Sequence, residues 1–153
     1  MKKRILVVSS ANMDFVMRMA KLPEAGQTIV ESRSYDYVPG GKGANAALAL
    51  ARLGADSVFC ARLGTDENAK RLKELYVDNG IDTRFMKFDR GVPTGLAAIV
   101  VEEDGNNRIV VYPGANSSLS EEDVEDAMPC LPDAVFVQLE IPDEAVIAAT
   151  KFA

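Results

Sequence analysis

Two unbroken apolar runs, ILVV within RILVVSS at 4 to 10 and VFCA within SVFCARLG at 57 to 64, most constrain what this chain can fold into. A strand that is apolar at every position has to be covered on both faces, which points to the interior of a parallel sheet flanked by helices. The sequence around these runs agrees. From Gly43 to Leu53, Ala44, Ala47, Leu48 and Ala51 recur at helical spacing, and Gly54 supplies a stop. TDENAKRLKELYVDNG, at 65 to 80, opens on a capping-type Thr65 and acidic residues and carries Leu72, Leu75 and Tyr76 on one side. It ends in Asn-Gly, which predicts a second helix. The fold class is α/β, with a mostly parallel sheet and flanking helices.

A different texture interrupts this alternation. TGLAAIVVEEDGNNRIVVYPG, at 94 to 114, places two β-rich runs about the turn-forming EDGNN and predicts an antiparallel hairpin. SRSYDYV, at 32 to 38, alternates polar and aromatic residues and is expected to pair with that hairpin. Together these pieces predict a small accessory sheet with strands near 15–20, 28–38, 94–102 and 107–113. Asn12 and Asp14 are placed at the carboxyl end of the first strand. Met13, Met17 and Met19 alternate as strand packing residues and have no Cys or His nearby to make a soft-metal site. A helix is expected near 120–128, a third buried strand at DAVFVQLEIP (133–142), and a helix from 143. Such a chain should close its sheet with further strands, so residues 1–153 are read as half of a larger domain.

Composition then excludes several function classes. With no histidine, Ser-His-Asp and Cys-His catalysis and His-based metal sites drop out. Cys60 and Cys130 lie far apart, without CxxC spacing, and are read as small apolar residues, neither zinc ligands nor a disulfide framework. The net charge is -6 and the longest basic run is KKR, so the footprint of a nucleic-acid surface is missing. There is no apolar run of ~18 residues, and the N-terminal segment turns polar too early for a secretory signal. A cytoplasmic protein with a small-molecule partner, no nucleic acid and no membrane is the expectation.

VPGGKGANAALALARLG, at 38 to 54, holds the candidate chemistry. It is not a Walker A loop, because Gly43 and not Ser or Thr follows Gly41-Lys42, and it lacks the third glycine of GxGxxG, where Ala46 stands. What remains is a backbone that can approach a ligand at a helix N-terminus, beside Lys42, or a structural turn. Asn12, Asp14, Lys42, Asn45 and Glu140 all fall at strand or helix ends, where open α/β folds bind ligands. Carboxylates that accept from hydroxyls, and amides that both donate and accept, suit a sugar.

At this point the motifs become recognisable. GGKGANAALALARLGADSVFCARLGTDENA (40 to 69) resembles the first signature of the ribokinase-like, or PfkB, family of sugar kinases. SSANMDF, TGLAAIVVEEDGNNRIVVYPGAN and QLEIP follow the same family in order and spacing. The resemblance implies a Rossmann-like body with a β-sheet lid, here an incomplete ribokinase-like fold. It also implies that Asn12 and Asp14 bind sugar hydroxyls and that Gly40, Gly41 and Lys42 close over the sugar. Asn45 and Glu140 would add contacts, and Ala97 and Ile109 would cover the sugar, with ribose the expected substrate. In the full-length family, ATP, Mg2+ and a monovalent cation are cofactors, held by a second half that this sequence lacks. No catalytic or metal-binding residue, and no cofactor for this chain alone, is therefore expected within residues 1–153. The lid strands and the open face of the sheet are expected to support a homo-oligomer. Two alternatives are a non-catalytic self-associating module and half of a nucleoside or other sugar kinase.

Overall fold

In the computed structural model of the chain, which describes residues 2–30 and 33–153, β1 (Arg4–Val8) is paired along both edges. β4 (Asp56–Leu63) lies on one side and β8 (Ala134–Val137) on the other, and β5 (Met86–Phe88) extends the sheet beyond β4. All pairings are parallel, in the order β5-β4-β1-β8. Register explains why the apolar runs are unbroken. Val7 stands opposite Phe59, and both pack under α1 (Lys42–Arg52) and α2 (Glu67–Asp78). Leu6 and Val8 stand opposite Val58 and Cys60, and these pack under α3 (Glu121–Ala127) and α4 (Asp143–Phe152). Every one of these strand residues is fully buried, so both faces of the sheet are covered at these positions.

The helices use small residues where they touch the sheet: Ala44 and Ala47 in α1, and Ala145, Ala148 and Ala149 in α4. The close approach lets Ser57 Oγ donate to the Ala47 carbonyl at 3.1 Å. Larger anchors fill the gap under α2, where Phe59 meets Tyr76 edge-on with centroids 5.3 Å apart. Burial of the Phe59 ring is worth about 2–3 kcal/mol. The cap of α2 is Asp66, not Thr65. Its carboxylate accepts from Ala69 N at 2.9 Å and also from Thr94 N and Oγ1, at 2.8 and 2.7 Å. A carboxylate has enough lone pairs to serve all three donors. Cys60 and Cys130 are unpaired and buried, and burial pushes the Cys60 thiol up to about 12, leaving it protonated as a packing group. Among the described residues, no helix is long and apolar enough to cross a membrane.

A second sheet has the order β3-β2-β6-β7, built from β2 (Asn12–Met19), β3 (Ser34–Gly40), β6 (Gly95–Glu102) and β7 (Asn107–Tyr112). Three features differ from the sequence reading. Asn12 and Asp14 do not end the first strand; they open β2, because the chain changes sheets at Ser9–Ala11. β3 pairs with β2 and not with the hairpin, and β2 is the parallel neighbour of β6. The strand expected over 28–38 crosses residues 31 and 32, which lie outside the described residues, and β3 runs on to Gly40. The third buried strand also differs. β8 has four residues and Phe136 is 39% exposed, because β8 is an edge strand with β1 as its one neighbour in the sheet.

Arg62 joins the two sides of the first sheet's carboxyl end. Its guanidinium donates to Asp123 Oδ2 at 2.6 Å and Oδ1 at 3.1 Å, and to Asp89 Oδ1 at 2.8 Å. Burial would raise the Asp123 carboxyl, but hydrogen bonds from Arg62 and Ser120 outweigh it and hold it below the ordinary aspartate value. Asp123 therefore contributes stability above its unfolded pKa of about 4, and that stability is lost as pH falls through the lowered value. Arg62→Met leaves Asp123 buried without its counter-charge. Urea unfolding at pH 7 should show a loss of about 3 kcal/mol. The gap from the parent protein should narrow on acidification toward pH 3, where protonation of Asp123 relieves the variant, as expected near the carboxylate range.

Candidate functional site

The two sheets meet in a cleft of about 160 Å³. Its polar wall is formed by Asn12 and Asp14 at the start of β2, Gly41 and Lys42 at the entry to α1, Asn45 one turn in, and Glu140 beyond β8. Its apolar wall is Ala97 and Ile99 of β6 with Ile109 and Val111 of β7. Strand period and register make this wall: Asp14 stands opposite Ala97, Ala97 opposite Val111, and Ile99 opposite Ile109, all at alternate positions. Eight of the nine residues expected from the sequence thus line one cleft, and Gly40 stands immediately behind it. Ile99 and Val111 were not anticipated. The period-2 alternation running through Ala97 and Ile109 carried the signal for both.

Two glycines make the polar wall possible. A Cβ on Gly40 would fall 2.1 Å from Asp14 Oδ2, so the carboxylate occupies the space a side chain would take. Gly41 adopts φ +91°, which L side chains rarely reach, and passes over the junction between β1 and β2; a Cβ there would lie 3.1 Å from Asn12 N. Gly41 is also the N-cap of α1, and no side chain caps the helix, so its first-turn N–H groups are left for other acceptors.

The carboxylates differ in their partners. Glu140 forms an ion pair with Lys42 and accepts from Ser10 Oγ at 3.4 Å. Its loop is held by Gln138, whose Oε1 accepts from Ser9 Oγ and Ser10 Oγ, each at 3.3 Å, and from Glu140 N at 2.9 Å. Asp14 has no hydrogen-bond or ion-pair partner among the described residues. Burial, and secondarily the nearby Glu140 charge, raises its carboxyl above the ordinary aspartate value. The cleft thus holds one unsatisfied acceptor beside a row of donors. Its charge is wrong for a nucleotide: two carboxylates face one lysine that is already paired. No group of three or more metal-ligating side chains occurs among the described residues. These residues do not fit Mg2+-ATP.

A wider depression of about 410 Å³, bordered by Thr65, Asp66 and Gly91 to Pro93, offers less chemistry. Its one carboxylate, Asp66, is already occupied by Ala69 and Thr94.

The sequence matches the description "pfkB family carbohydrate kinase" over residues 2–153. The chain belongs to that family. Among relatives of this pfkB-family chain, it is 39% identical to the bifunctional ribokinase/ribose-5-phosphate isomerase A of Fructilactobacillus sanfranciscensis, over 99% of this chain and 28% of that protein. It is 36% identical to the ribokinase of Staphylococcus aureus, over 100% of this chain and 51% of the other. The structure of Arabidopsis thaliana ribokinase complexed with ribose and ATP superposes with a TM-score of 0.83 at 32% identity, covering 99% of this chain and 50% of that one. The chain thus spans about half the length of the ribokinases it matches.

The raised Asp14 carboxyl sets a trade between fold and site. Its ionised form weakens the fold above its raised pKa, a cost relieved as pH falls through that value toward the ordinary aspartate range. Asp14→Asn is therefore expected to raise the melting temperature of the ligand-free protein at pH 7 slightly, by roughly 1–2 °C. Differential scanning calorimetry from pH 7 to pH 4 checks this, and the difference should shrink toward the acid end.

Proposed function

We propose that this chain is the sugar-binding and lid portion of a ribokinase-like carbohydrate kinase, whose overall reaction transfers a phosphoryl group from ATP to ribose. The observation that carries this reading is the two-sided cleft: an unpartnered Asp14 with Asn12, Lys42, Asn45 and Glu140 on one wall, and four aliphatic side chains on the other. A sugar ring has that same division, with hydroxyls at its edge and C–H groups on its faces. Asp14 accepts from hydroxyls, Asn12 and Asn45 orient them, Lys42 and the first amides of α1 donate to their oxygens, and Glu140 sets the position of Lys42. Gly40 provides the room for Asp14. Ala97, Ile99, Ile109 and Val111 exclude water from the ring face, the task of a lid in phosphoryl transfer.

ATP and Mg2+ supply the transferable phosphoryl group and its charge neutralisation, and the groups that hold them belong to the part of the ribokinases this chain does not match. The free, buried cysteines suit a reducing, cytoplasmic setting. Titration calorimetry with D-ribose should give saturable binding to the 153-residue chain. Gly40→Ala, which drives a methyl into the Asp14 carboxylate, should weaken that binding by roughly 10-fold or more. A folded chain that ignores ribose would overturn the reading, and preference for a nucleoside would move it to nucleoside kinases. Phosphorylation of ribose by this chain alone would contradict the placement of the transfer machinery elsewhere.

A second observation favours self-association. On the face of the second sheet turned away from the cleft, Tyr35 and Tyr37 of edge strand β3 and Val110 and Tyr112 of edge strand β7 are each more than half exposed, and β3 and β7 are the two edges of that sheet. We propose that these strands, with the exposed Phe136 on the first sheet's β8 edge as a further candidate surface, join copies of the chain. Sedimentation should show a dimer or larger species at micromolar concentration that Val110→Asp shifts toward monomer. A parent chain that stays monomeric sinks the proposal.

A further inference from the structure

Asn116 lies outside the cleft's lining, yet it is 2% exposed and bonded to the residue that opens the site. It sits in the short 3-10 turn after β7, Gly114–Ser118, and reaches back across more than a hundred residues to the junction of the two sheets. Ala11 N donates to Asn116 Oδ1 at 2.9 Å, and Asn116 Nδ2 donates to the Ala11 carbonyl at 3.3 Å. A backbone N–H can only donate and a backbone carbonyl can only accept, so both ends of the Asn116 amide are specified by one residue's main chain. The remaining N–H of Asn116 donates to Asn12 Oδ1 at 2.7 Å. That in turn specifies Asn12. Its oxygen is committed inward, and its Nδ2, with no protein acceptor among the described residues, is the end left for the cleft that Asn12 lines. The contact crosses Gly95, where a Cβ would collide with Asn12 Oδ1 at 2.1 Å and Asn116 Nδ2 at 2.3 Å.

We propose that Asn116 is a positioning residue that fixes the polarity of the cleft, by holding the Asn12 amide so that it meets the ligand as a donor. The proposal rests on the sugar-binding reading for its consequence, though not for its geometry. Asn12 and Asp14 point to the same side of β2 from alternate positions, so the ligand faces a donor beside an acceptor-only carboxylate. A hydroxyl suits that pair, accepting from Asn12 while it or its neighbour donates to Asp14. A ligand whose edge offers only acceptors does not. Selection among oxygen-rich molecules thus depends on a side chain that never touches them.

Asn116→Asp separates this role from simple packing. The variant keeps the shape and keeps an acceptor for Ala11 N–H, but the oxygen that replaces Nδ2 faces both the Ala11 carbonyl and Asn12 Oδ1. Rotation of the Asn12 amide relieves the second of these contacts and turns its oxygen toward the cleft, next to Asp14. Ribose binding should fall by roughly 10-fold or more in the parent background, and by a clearly smaller factor in an Asn12→Ala background, where the Ala11 contact is still disturbed but there is no amide to turn. Equal losses in both backgrounds would show a merely structural role and overturn the proposal. Side-chain amide NMR on the sugar-free chain gives an independent readout. In the parent, the Asn12 Nδ2 protons should exchange with solvent while those of Asn116 are protected, and in Asn116→Asp the Asn12 protons should become protected. Protected Asn12 protons in the parent would overturn the proposal whatever binds. If Asn116→Asp does not fold, Asn12→Asp presents an acceptor to the cleft with Asn116 intact. It should show the same loss of ribose binding, and undiminished binding would overturn the proposal. Failure of the parent chain to bind ribose would reject the sugar reading, while the amide measurement still decides the geometry.

Discussion

The backbone of Ala11 is gripped from two directions. Its N–H and carbonyl are both taken by the Asn116 amide, and the turn at Gly41 passes close to its Cα, at 3.3 Å from where a Cβ on that glycine would sit. At this residue the chain has left one sheet and is about to enter another: Ser9 N still bonds to Cys60 O at 3.2 Å, and three residues later Asn12 pairs with Gly40 and Gly95. A buried peptide between two sheets has lost its ladder partners, and an unpaired buried N–H or carbonyl costs about 1–3 kcal/mol. One side-chain amide meets both needs. The relative position of the two sheets, and with it the width of the cleft between them, depends on that exchange.

Around this fixed point the cleft is polarised rather than neutral. Lys42 and Glu140 satisfy each other across it, joining the start of α1 to the loop beyond β8. Asp14 has no such partner, and its raised carboxyl records the imbalance. A fold optimised for stability alone would pair Asp14 or replace it. Its retention in a tight pocket made by Gly40 is what a binding site requires, since a group already satisfied by the protein has little to offer a ligand.

Much of the body was legible in the sequence because burial on both faces leaves unmistakable runs such as Leu6–Val8 and Val58–Ala61. The cleft residues were legible because GGKGAN, Asn12, Asp14 and Glu140 recur in a family pattern, not because spacing alone brought them together. What escaped depended on long-range partners. Nothing near SRSYDYV says that its neighbour is β2, since both faces of that accessory sheet are partly exposed and register is weakly marked. β8 reads as a core strand from AVFV, yet an edge position exposes it. Thr65 and Asp66 are equally good caps locally, and only Thr94, distant in sequence, gives the carboxylate its advantage. Asn116 closes the YPGAN run that the sequence shows, but nothing in that run names its partner, the Ala11 peptide 105 residues away in the chain.

The accessory sheet is assembled from two excursions, β2–β3 between β1 and α1, and β6–β7 between β5 and α3. With both removed, an ordinary run of alternating strands and helices would remain. Each excursion leaves and rejoins the body near the carboxyl ends of its parallel strands, and the two meet along one parallel seam between β2 and β6. Variation in the length or facing of either loop can therefore reshape the cleft's roof while the packed body stays as it is, and a change to the seam must be answered on both excursions at once. The architecture separates what can diversify freely from what has to change in concert.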